Sequence, residues 1–140
     1  MMQETSEQVV TLDAKYAPHI LTQCAGRTLF FPTSWVLDII VVERSKILRL
    51  PFYAEALLGV AHYQTKVVPL VTIGHSTTAG FKPTQSSLMA VRLGEATGSL
   101  NGVAVVVDQL LGHANGNAMG DRFQLSDIPP DLWQALAHPV

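Results

Sequence analysis

The sequence is organised as short apolar runs separated by turn-forming residues. From Ile20 onward, runs of about five to ten residues alternate with spacers that carry glycine or proline. Runs of this length, rich in Val, Ile and Leu, are typical of buried strands. The runs are LTQCAG, RTLFF, WVLDIIVV, KILRL, ALLGVAHY, KVVPLVTI, SSLMAVRL and GVAVVVDQLL. Many short strands at close spacing predict an all-β barrel or sandwich.

Two hairpins are predicted within this series. The first pairs residues 57–63 with 66–73 around a tight turn, and the second pairs 87–93 with 102–108. The loop of the second hairpin, GEATGSLN, contains two glycines that supply the backbone freedom such a loop needs.

Helical signals are few. Thr33 and Ser34 are placed to cap a short turn that enters WVLDII. Near the C-terminus, Ser126 or Asp127 precedes IPPDLWQALAH, where an early proline suits the first turn of a short helix. We therefore expect short helical segments at these two places.

Composition and charge limit the classes of protein to which this chain can belong. The length of 140 residues fits one domain or two tightly packed subdomains, and the charged fraction of 14% lies below the usual value of about 25%. So few charges indicate a protein that buries much of its surface, including against partners. The net charge of -2 gives no excess of positive field for nucleic acid or anionic lipid. The single cysteine, Cys24, cannot form an internal disulfide, which favours a reducing cytoplasm.

We expect a soluble protein that is neither inserted in a membrane nor exported. No segment approaches the roughly 18 uninterrupted apolar residues that a membrane span needs. The N-terminus, MMQETSEQ, is polar and acidic, unlike a secretory signal. We expect residues 1–11 to form a flexible arm with an edge strand near Val9 and Val10, attached to one cytoplasmic domain spanning 1–140.

A catalytic or metal site is not indicated. The histidines are far apart, without an HxxxH or HxH pair, and are interpreted as unrelated surface or loop imidazoles. They are His19, His62, His75, His113 and His138. Cys24 is either a nucleophile or a small buried residue, and its setting between apolar runs favours burial. We predict no enzyme activity, no metal and no cofactor.

The glycine-rich stretch GHANGNAMG at 112–120 invites comparison with a phosphate-binding loop. That chemistry needs a strand before the loop, a helix after it and commonly a Lys-Ser/Thr pair. Here Asp121, Arg122 and Phe123 follow, so we interpret the stretch as a mobile surface loop. Asp121 and Asp127 have no histidine or carboxylate partner at a suitable spacing, and Asp127 is better explained as a helix cap.

Basic residues form no continuous stripe. The densest group is Arg44, Lys46 and Arg49, flanked by Glu43 and Glu55. It is either a solvated strand edge that discourages aggregation or a charged rim of a protein interface. A nucleic-acid-binding small β-barrel is the alternative function, and it requires aromatic residues on a basic face.

The central segment resembles the CheW-like domain family. LPFYAEALLGVAHYQTKVVPLVTI at 50–73 is similar to the family hairpin GxxNLRGxxxPxxDL. Gly59 matches its leading glycine, Val67 and Val68 match its apolar pair, and Pro69 matches its proline. Upstream, LFFPTSWVLDII at 29–40 resembles the first strand and helical turn of the family.

Downstream, GVAVVVDQLLG at 102–112 resembles the stretch IGLxVDxVxG, with Asp108 at the position of its aspartate. The resemblance covers roughly residues 28–112. It implies two packed SH3-like five-stranded β-barrel subdomains with short helical segments. It also implies a signalling adaptor whose partners are a CheA-type histidine kinase and the cytoplasmic tip of a chemoreceptor.

The chain departs from the family motif at the turn of the hairpin. His62, Tyr63, Gln64 and Thr65 stand where the family has NLRG, and Thr72 replaces an aspartate. An arginine at position 64 could pair with a carboxylate, whereas glutamine offers only neutral hydrogen bonds. We infer a divergent member that serves a pilus-motility array or another non-flagellar array.

The turn of this hairpin is the predicted partner-binding site. We name it the hairpin corner, and it consists of His62, Tyr63, Gln64, Thr65 and Lys66. Tyr63 has the size of an interface anchor, although half-packing against the barrel explains it equally well. Phe52 and Tyr53 form a second candidate, for which core packing is the favoured explanation.

Overall fold

The structure is a computed structural model that describes residues 18–50, 52–73, 86–115 and 120–133. Some predictions fall outside these residues: the arm at 1–11 with its edge strand near Val9 and Val10, two of the histidines (His75 and His138), and the part of the C-terminal helix after Trp133.

Within the described residues, ten strands form two sheets. The strands are β1 (His19–Cys24), β2 (Arg27–Pro32), β3 (Val36–Glu43), β4 (Ile47–Leu48), β5 (Leu57–Tyr63), β6 (Lys66–Val71), β7 (Ser87–Leu93), β8 (Ala104–Val107), β9 (Gln109–Ala114) and β10 (Asp121–Arg122). Short 3-10 segments lie at Thr33–Trp35, Arg44–Lys46, Glu95–Leu100 and Leu125–Asp127. The four-stranded sheet has the order β10-β2-β1-β9, and the six-stranded sheet has the order β3-β7-β8-β6-β5-β4.

The central part of the six-stranded sheet is buried on both of its faces. Successive residues on its central strands are buried, as in Leu70 and Val71 on β6 and Ala90 and Val91 on β7. Since alternate residues face opposite sides of a strand, this pattern explains the unbroken apolar runs of the sequence.

The two faces line two separate cores. The inner core lies inside the curled six-stranded sheet and consists of Ile40, Val42, Leu58, Ala61, Val68, Leu70, Leu88, Ala90 and Ala104. The intersheet core joins the two sheets. It includes Leu29 and Phe31 from β2, Val105 and Val107 from β8, and Phe123.

A tight turn joins the two edge strands of the six-stranded sheet and so brings them close together. The edge strands β3 and β4 are consecutive in the chain and are separated only by Arg44–Lys46. The sheet therefore curls towards a barrel, but no ladder joins β3 to β4, so it stays open in the described residues.

The prediction of an all-β fold with short helical segments is confirmed, although the described strands form two open sheets where two barrels are expected. The strands divide four and six, where the resemblance implies five and five. Both predicted hairpins are also confirmed, because β5 pairs with β6 and β7 pairs with β8, each antiparallel.

The run GVAVVVDQLL is divided between the two sheets. Asp108 separates β8, which pairs in the six-stranded sheet, from β9, which pairs with β1 in the other sheet. The prediction of a loop beginning at Gly112 is therefore wrong for residues 112–114, since Gly112 lies opposite Leu21 in the ladder. Residues 116–119 of that stretch lie outside the described residues.

The helical predictions are only partly correct. A 3-10 turn does form at Thr33–Trp35, but its cap position is Pro32 and no side chain caps it, so the assignment of Thr33 or Ser34 as a cap is wrong. Asp127 lies in the last 3-10 turn and caps the start of that same turn, because its Oδ2 accepts the Gln124 N–H at 2.9 Å. The N–H of Leu132 donates to the carbonyl oxygen of Pro129 at 3.2 Å, which closes one turn there.

Candidate partner-binding site

The hairpin corner extends beyond the neighbouring strands of its sheet. β4 pairs with β5 only at Val60 and Ala61, and β8 pairs with β6 only at Leu70 and Val71. Residues 62–66 therefore have ladder partners only within their own hairpin. Backbone groups of a strand that lacks a neighbour are free to pair with another chain.

The turn itself is of the kind that fits the twist of a hairpin. Gln64 has φ +48° and Thr65 has φ +67°, so both central residues are left-handed, as in a type I′ turn. Such turns usually contain glycine or asparagine, and a β-branched residue in this region is strained. The backbone thus keeps a hairpin geometry that its sequence does not favour.

Gly59 allows β4 to approach β5 closely. A Cβ at this position would overlap the carbonyl oxygen of Leu48 and lie 3.0 Å from Cγ2 of Ile47. A glycine is therefore required where the resemblance places one, since any side chain would push β4 away from the hairpin.

Four of the five corner residues are exposed. They are His62, Gln64, Thr65 and Lys66, whereas Tyr63 is half-buried and packs against the inner core. The Tyr63 ring also lies 5.2 Å from the guanidinium carbon of Arg92. The structure therefore shows Tyr63 packed against the protein. A role for Tyr63 as an interface anchor is a proposal.

An apolar surface continues from the corner along the outward face of the sheet. Val60 lies opposite both Leu48 and Pro69, and Val67 lies opposite His62, so these side chains share one face. Leu48 is 64% exposed and Val67 is 65% exposed. We name Leu48, Val60, Val67 and Pro69 the outer strip. It lies on the face that, further along the sheet, is covered by the four-stranded sheet.

Comparison of this chain with known proteins finds a solved structure with a similar fold. No family model matches the sequence, and no curated protein matches it. A solved structure that does match is that of the scaffolding protein TtCheW from Thermoanaerobacter tengcongensis. The match covers 71% of this chain with a TM-score of 0.50 and 15% sequence identity. The fold is CheW-like.

The likeness concerns the fold alone, since so few residues are identical. This chain spans 61% of the length of TtCheW, so the match leaves part of that protein without a counterpart. The β5–β6 hairpin, the open six-stranded sheet and the intersheet core are the features of this CheW-like fold that position the candidate site.

The second candidate pair divides between surface and core. Phe52 is 57% exposed, whereas Tyr53 is half-buried and packs against the intersheet core. Core packing is therefore confirmed for Tyr53 and wrong for Phe52. In the basic group, Lys46 forms an ion pair of 3.2 Å with Glu43, and both side chains are more than 60% exposed. A pair so exposed contributes little to stability.

Cys24 is buried, as its setting predicts. Burial, together with the charge of Asp108, raises the pKa of the Cys24 thiol to about 11. The thiol lies 3.6 Å from the carbonyl oxygen of Val106, to which it donates a weak hydrogen bond. A protonated and enclosed thiol is a poor nucleophile, so Cys24 acts as a packing residue of the intersheet core.

The described histidines differ from the prediction at one position. His19 is 2% exposed, and its ring lies 5.2 Å from that of Phe30, so it is not a surface or loop residue. His62 and His113 are exposed as predicted, although both lie in strands. The residues that the structure describes contain no cluster of three His, Cys, Asp or Glu side chains able to hold a metal ion. Nor does any helix among them have the length and apolarity to cross a membrane.

Sequence reasoning missed one polar pair beside the site. Asp38 on β3 and Arg92 on β7 lie directly opposite each other, and their side chains form an ion pair. The available signal was that each is the one charged residue inside an otherwise apolar strand run, WVLDIIVV and SSLMAVRL. Opposite charges placed in this way indicate a cross-strand pair.

Proposed function

We propose that this chain is a non-catalytic, cytoplasmic adaptor of the CheW type. It binds a CheA-type histidine kinase and the cytoplasmic tip of a chemoreceptor, and so couples the two in chemotaxis or in pilus motility. In this proposal residues 1–140 act as one domain that is recruited to receptor arrays at the membrane without inserting into it. One observation carries the proposal. The fold is CheW-like, and its β5–β6 hairpin and outer strip present side chains that are exposed to solvent.

The binding surface consists of the hairpin corner and the outer strip. The strip supplies apolar area that gains free energy on burial, at roughly 25 cal/mol per Å². The corner supplies unpaired strand backbone and polar side chains, including Lys66, that confer specificity. Because Gln64 replaces the arginine of the family motif, recognition at the turn depends on neutral hydrogen bonds.

The proposal is tested by measuring binding of the purified chain to the kinase and to a receptor tip fragment from the same cell. Val67→Lys places a charge at the centre of the proposed surface and should weaken binding of at least one partner by about tenfold or more. Val41→Lys is the matched control, because Val41 is 59% exposed and lies on β3, which pairs with β7 and not with the β5–β6 hairpin.

Three outcomes decide between the alternatives. Binding that is lost with Val67→Lys and kept with Val41→Lys supports both the function and the surface. Equal losses would place the contact elsewhere on the sheet. If the wild-type chain binds neither partner but is retained on single-stranded DNA in a salt-sensitive way, the adaptor function is wrong and the nucleic-acid alternative is favoured.

A further inference from the structure

Arg92 and Asp38 form a rigid pair across the β3–β7 ladder. Nε of Arg92 donates to Oδ1 of Asp38 at 2.8 Å, and Nη2 donates to Oδ2 at 2.6 Å. Two parallel hydrogen bonds between a planar guanidinium and a carboxylate fix the guanidinium plane as well as its position. The hydrogen bonds to Asp38 also raise the pKa of Arg92 above its ordinary value, so this side chain stays charged.

The pair closes one end of the inner core. Leu88, Ala90 and Arg92 alternate along β7 onto the same face, and the first two belong to the inner core. The side chain of Arg92 is only 10% exposed, whereas that of Asp38 is 38% exposed. Arg92 therefore reaches into the apolar interior while its partner remains in contact with solvent.

Arg92 also contacts the hairpin corner from across the sheet. Its guanidinium carbon lies 5.2 Å from the centroid of the Tyr63 ring, which is a cation–π distance. Tyr63 is on β5 and Arg92 is on β7, and two other strands, β8 and β6, lie between these in the sheet. The contact therefore crosses the interior of the curled sheet.

Tyr63 is the corner residue that packs against the rest of the protein, since the other four corner residues are exposed. In the turn, Thr65 stands where the family motif has glycine and Gln64 stands where it has arginine. The turn therefore lacks the two residues that the family resemblance implies would stabilise it. An arginine is nevertheless present nearby, contributed by β7.

We infer that Arg92 is a positioning residue for the hairpin corner: held by Asp38, it supports the Tyr63 ring and so fixes the orientation in which the corner meets a partner. The inference deepens the proposed function and rests on it for the role of the corner in binding. A mainly stabilising role is disfavoured on energetic grounds, because replacing a buried ion pair by apolar residues of similar size is commonly neutral or favourable.

The test removes both charges together, so that no unpaired charge is left in the core. In the double variant Asp38→Leu/Arg92→Met, cooperative unfolding should be retained. The amides of Tyr63 and Lys66, which face each other in the ladder, should exchange with solvent about tenfold faster. Hydrogen exchange followed by NMR measures both quantities in the absence of any partner.

Two variants of Tyr63 isolate the ring contact. Tyr63→Phe keeps the ring and should leave exchange at the corner unchanged, whereas Tyr63→Leu should reproduce the roughly tenfold acceleration. Adding Tyr63→Leu to the double variant should have no further effect, because the same support has already been removed. Unchanged exchange in a folded double variant overturns the inference.

Binding then separates the inference from the proposed function. Faster exchange accompanied by a roughly tenfold loss of partner affinity supports both. Faster exchange with unchanged affinity supports the positioning of the corner by Arg92 and overturns the corner as the binding surface. If the wild-type chain binds no partner, the proposed function fails while the exchange measurement still decides the role of Arg92.

Discussion

Thr65 occupies a backbone conformation that its side chain disfavours. With φ at +67°, its branched Cβ crowds the neighbouring carbonyl groups, at a cost of roughly 1–2 kcal/mol. Thr65→Gly should remove this strain and, after the greater flexibility of glycine in the unfolded chain is subtracted, raise the free energy of unfolding by about 0.5–1 kcal/mol. Chemical denaturation measures the change.

Thr28→Gly is the matched control, because Thr28 is paired with Gln23 inside an ordinary antiparallel ladder. This variant should lose about 1 kcal/mol, since glycine weakens the interior of a strand. Equal losses in the two variants would show that the turn stores no strain at Thr65.

Cys24 should react slowly and with an unusual dependence on pH. Its thiol has a pKa of about 11, so only about one molecule in a thousand carries the thiolate at pH 8. Alkylation of the folded protein should therefore rise about tenfold per pH unit up to pH 10 without reaching a plateau. A plateau near pH 9 would contradict the assigned burial.

The same shift affects stability, and its sign follows from linkage. The pKa in the folded protein lies above the ordinary value of 9.0, so the unfolded chain releases the proton first. This group therefore lowers the free energy of unfolding as pH rises from about 9 to 11. Cys24→Ala should show a smaller loss over this interval when both proteins are unfolded by urea.

At the scale of elements, the approach of β4 to β5 depends on a single residue. Gly59→Ala would place a methyl group on the carbonyl oxygen of Leu48, and because that atom belongs to the backbone, β4 as a whole must move. We expect a loss of about 3 kcal/mol in the free energy of unfolding. Denaturant titration of the purified variant measures it.

Gly94→Ala provides the comparison, because a Cβ at position 94 meets nothing closer than the backbone nitrogen of Leu37 at 3.6 Å. Its φ of -106° is accessible to alanine, so the change should stay within about 0.5 kcal/mol. Similar losses at positions 59 and 94 would mean that the close approach of β4 is not what requires glycine.

Local pattern predicted the β5–β6 hairpin because everything that defines it lies within a few residues of the chain. Two apolar runs flank the two-residue turn at Gln64 and Thr65, and their register follows from its length. The division of GVAVVVDQLL at Asp108 could not be predicted in this way. Both halves are extended and apolar, and only their distant partners, β7 and β1, assign them to different sheets.

The same reasoning applies to the candidate site. The hairpin pattern selects the corner residues, and the packing expected for Tyr63 as one of two alternatives is present. The support from Arg92 was not found, since it depends on a contact across the sheet interior between strands that are neighbours neither in sequence nor in the sheet. Leu48 of the outer strip was missed because an apolar residue in a short strand run is expected to be buried, whereas Leu48 is 64% exposed.

At the scale of the whole molecule, the six-stranded sheet links the two cores mechanically. On β7, Ala90 faces the inner core and Val91 faces the intersheet core, so loss of either core removes one side of the same strand. The intersheet core is further tied to the C-terminal segment, since the ring of Phe123 stacks on Phe31 at 4.8 Å and meets Trp35 edge-on at 6.2 Å. Shared strands of this kind predict a single cooperative unit rather than two independent sheets.

This prediction is tested by damaging one core and observing the other. Leu88→Ala should leave a cavity in the inner core and cost about 2–5 kcal/mol. In a Trp133→Phe background, Trp35 becomes the only tryptophan and reports on the intersheet core by fluorescence. The fluorescence transition and the circular dichroism transition should then shift to lower denaturant by the same amount. If the Trp35 transition keeps its midpoint while the dichroism changes in two steps, the sheets unfold separately. In that case the shared strands do not couple the inner core to the intersheet core.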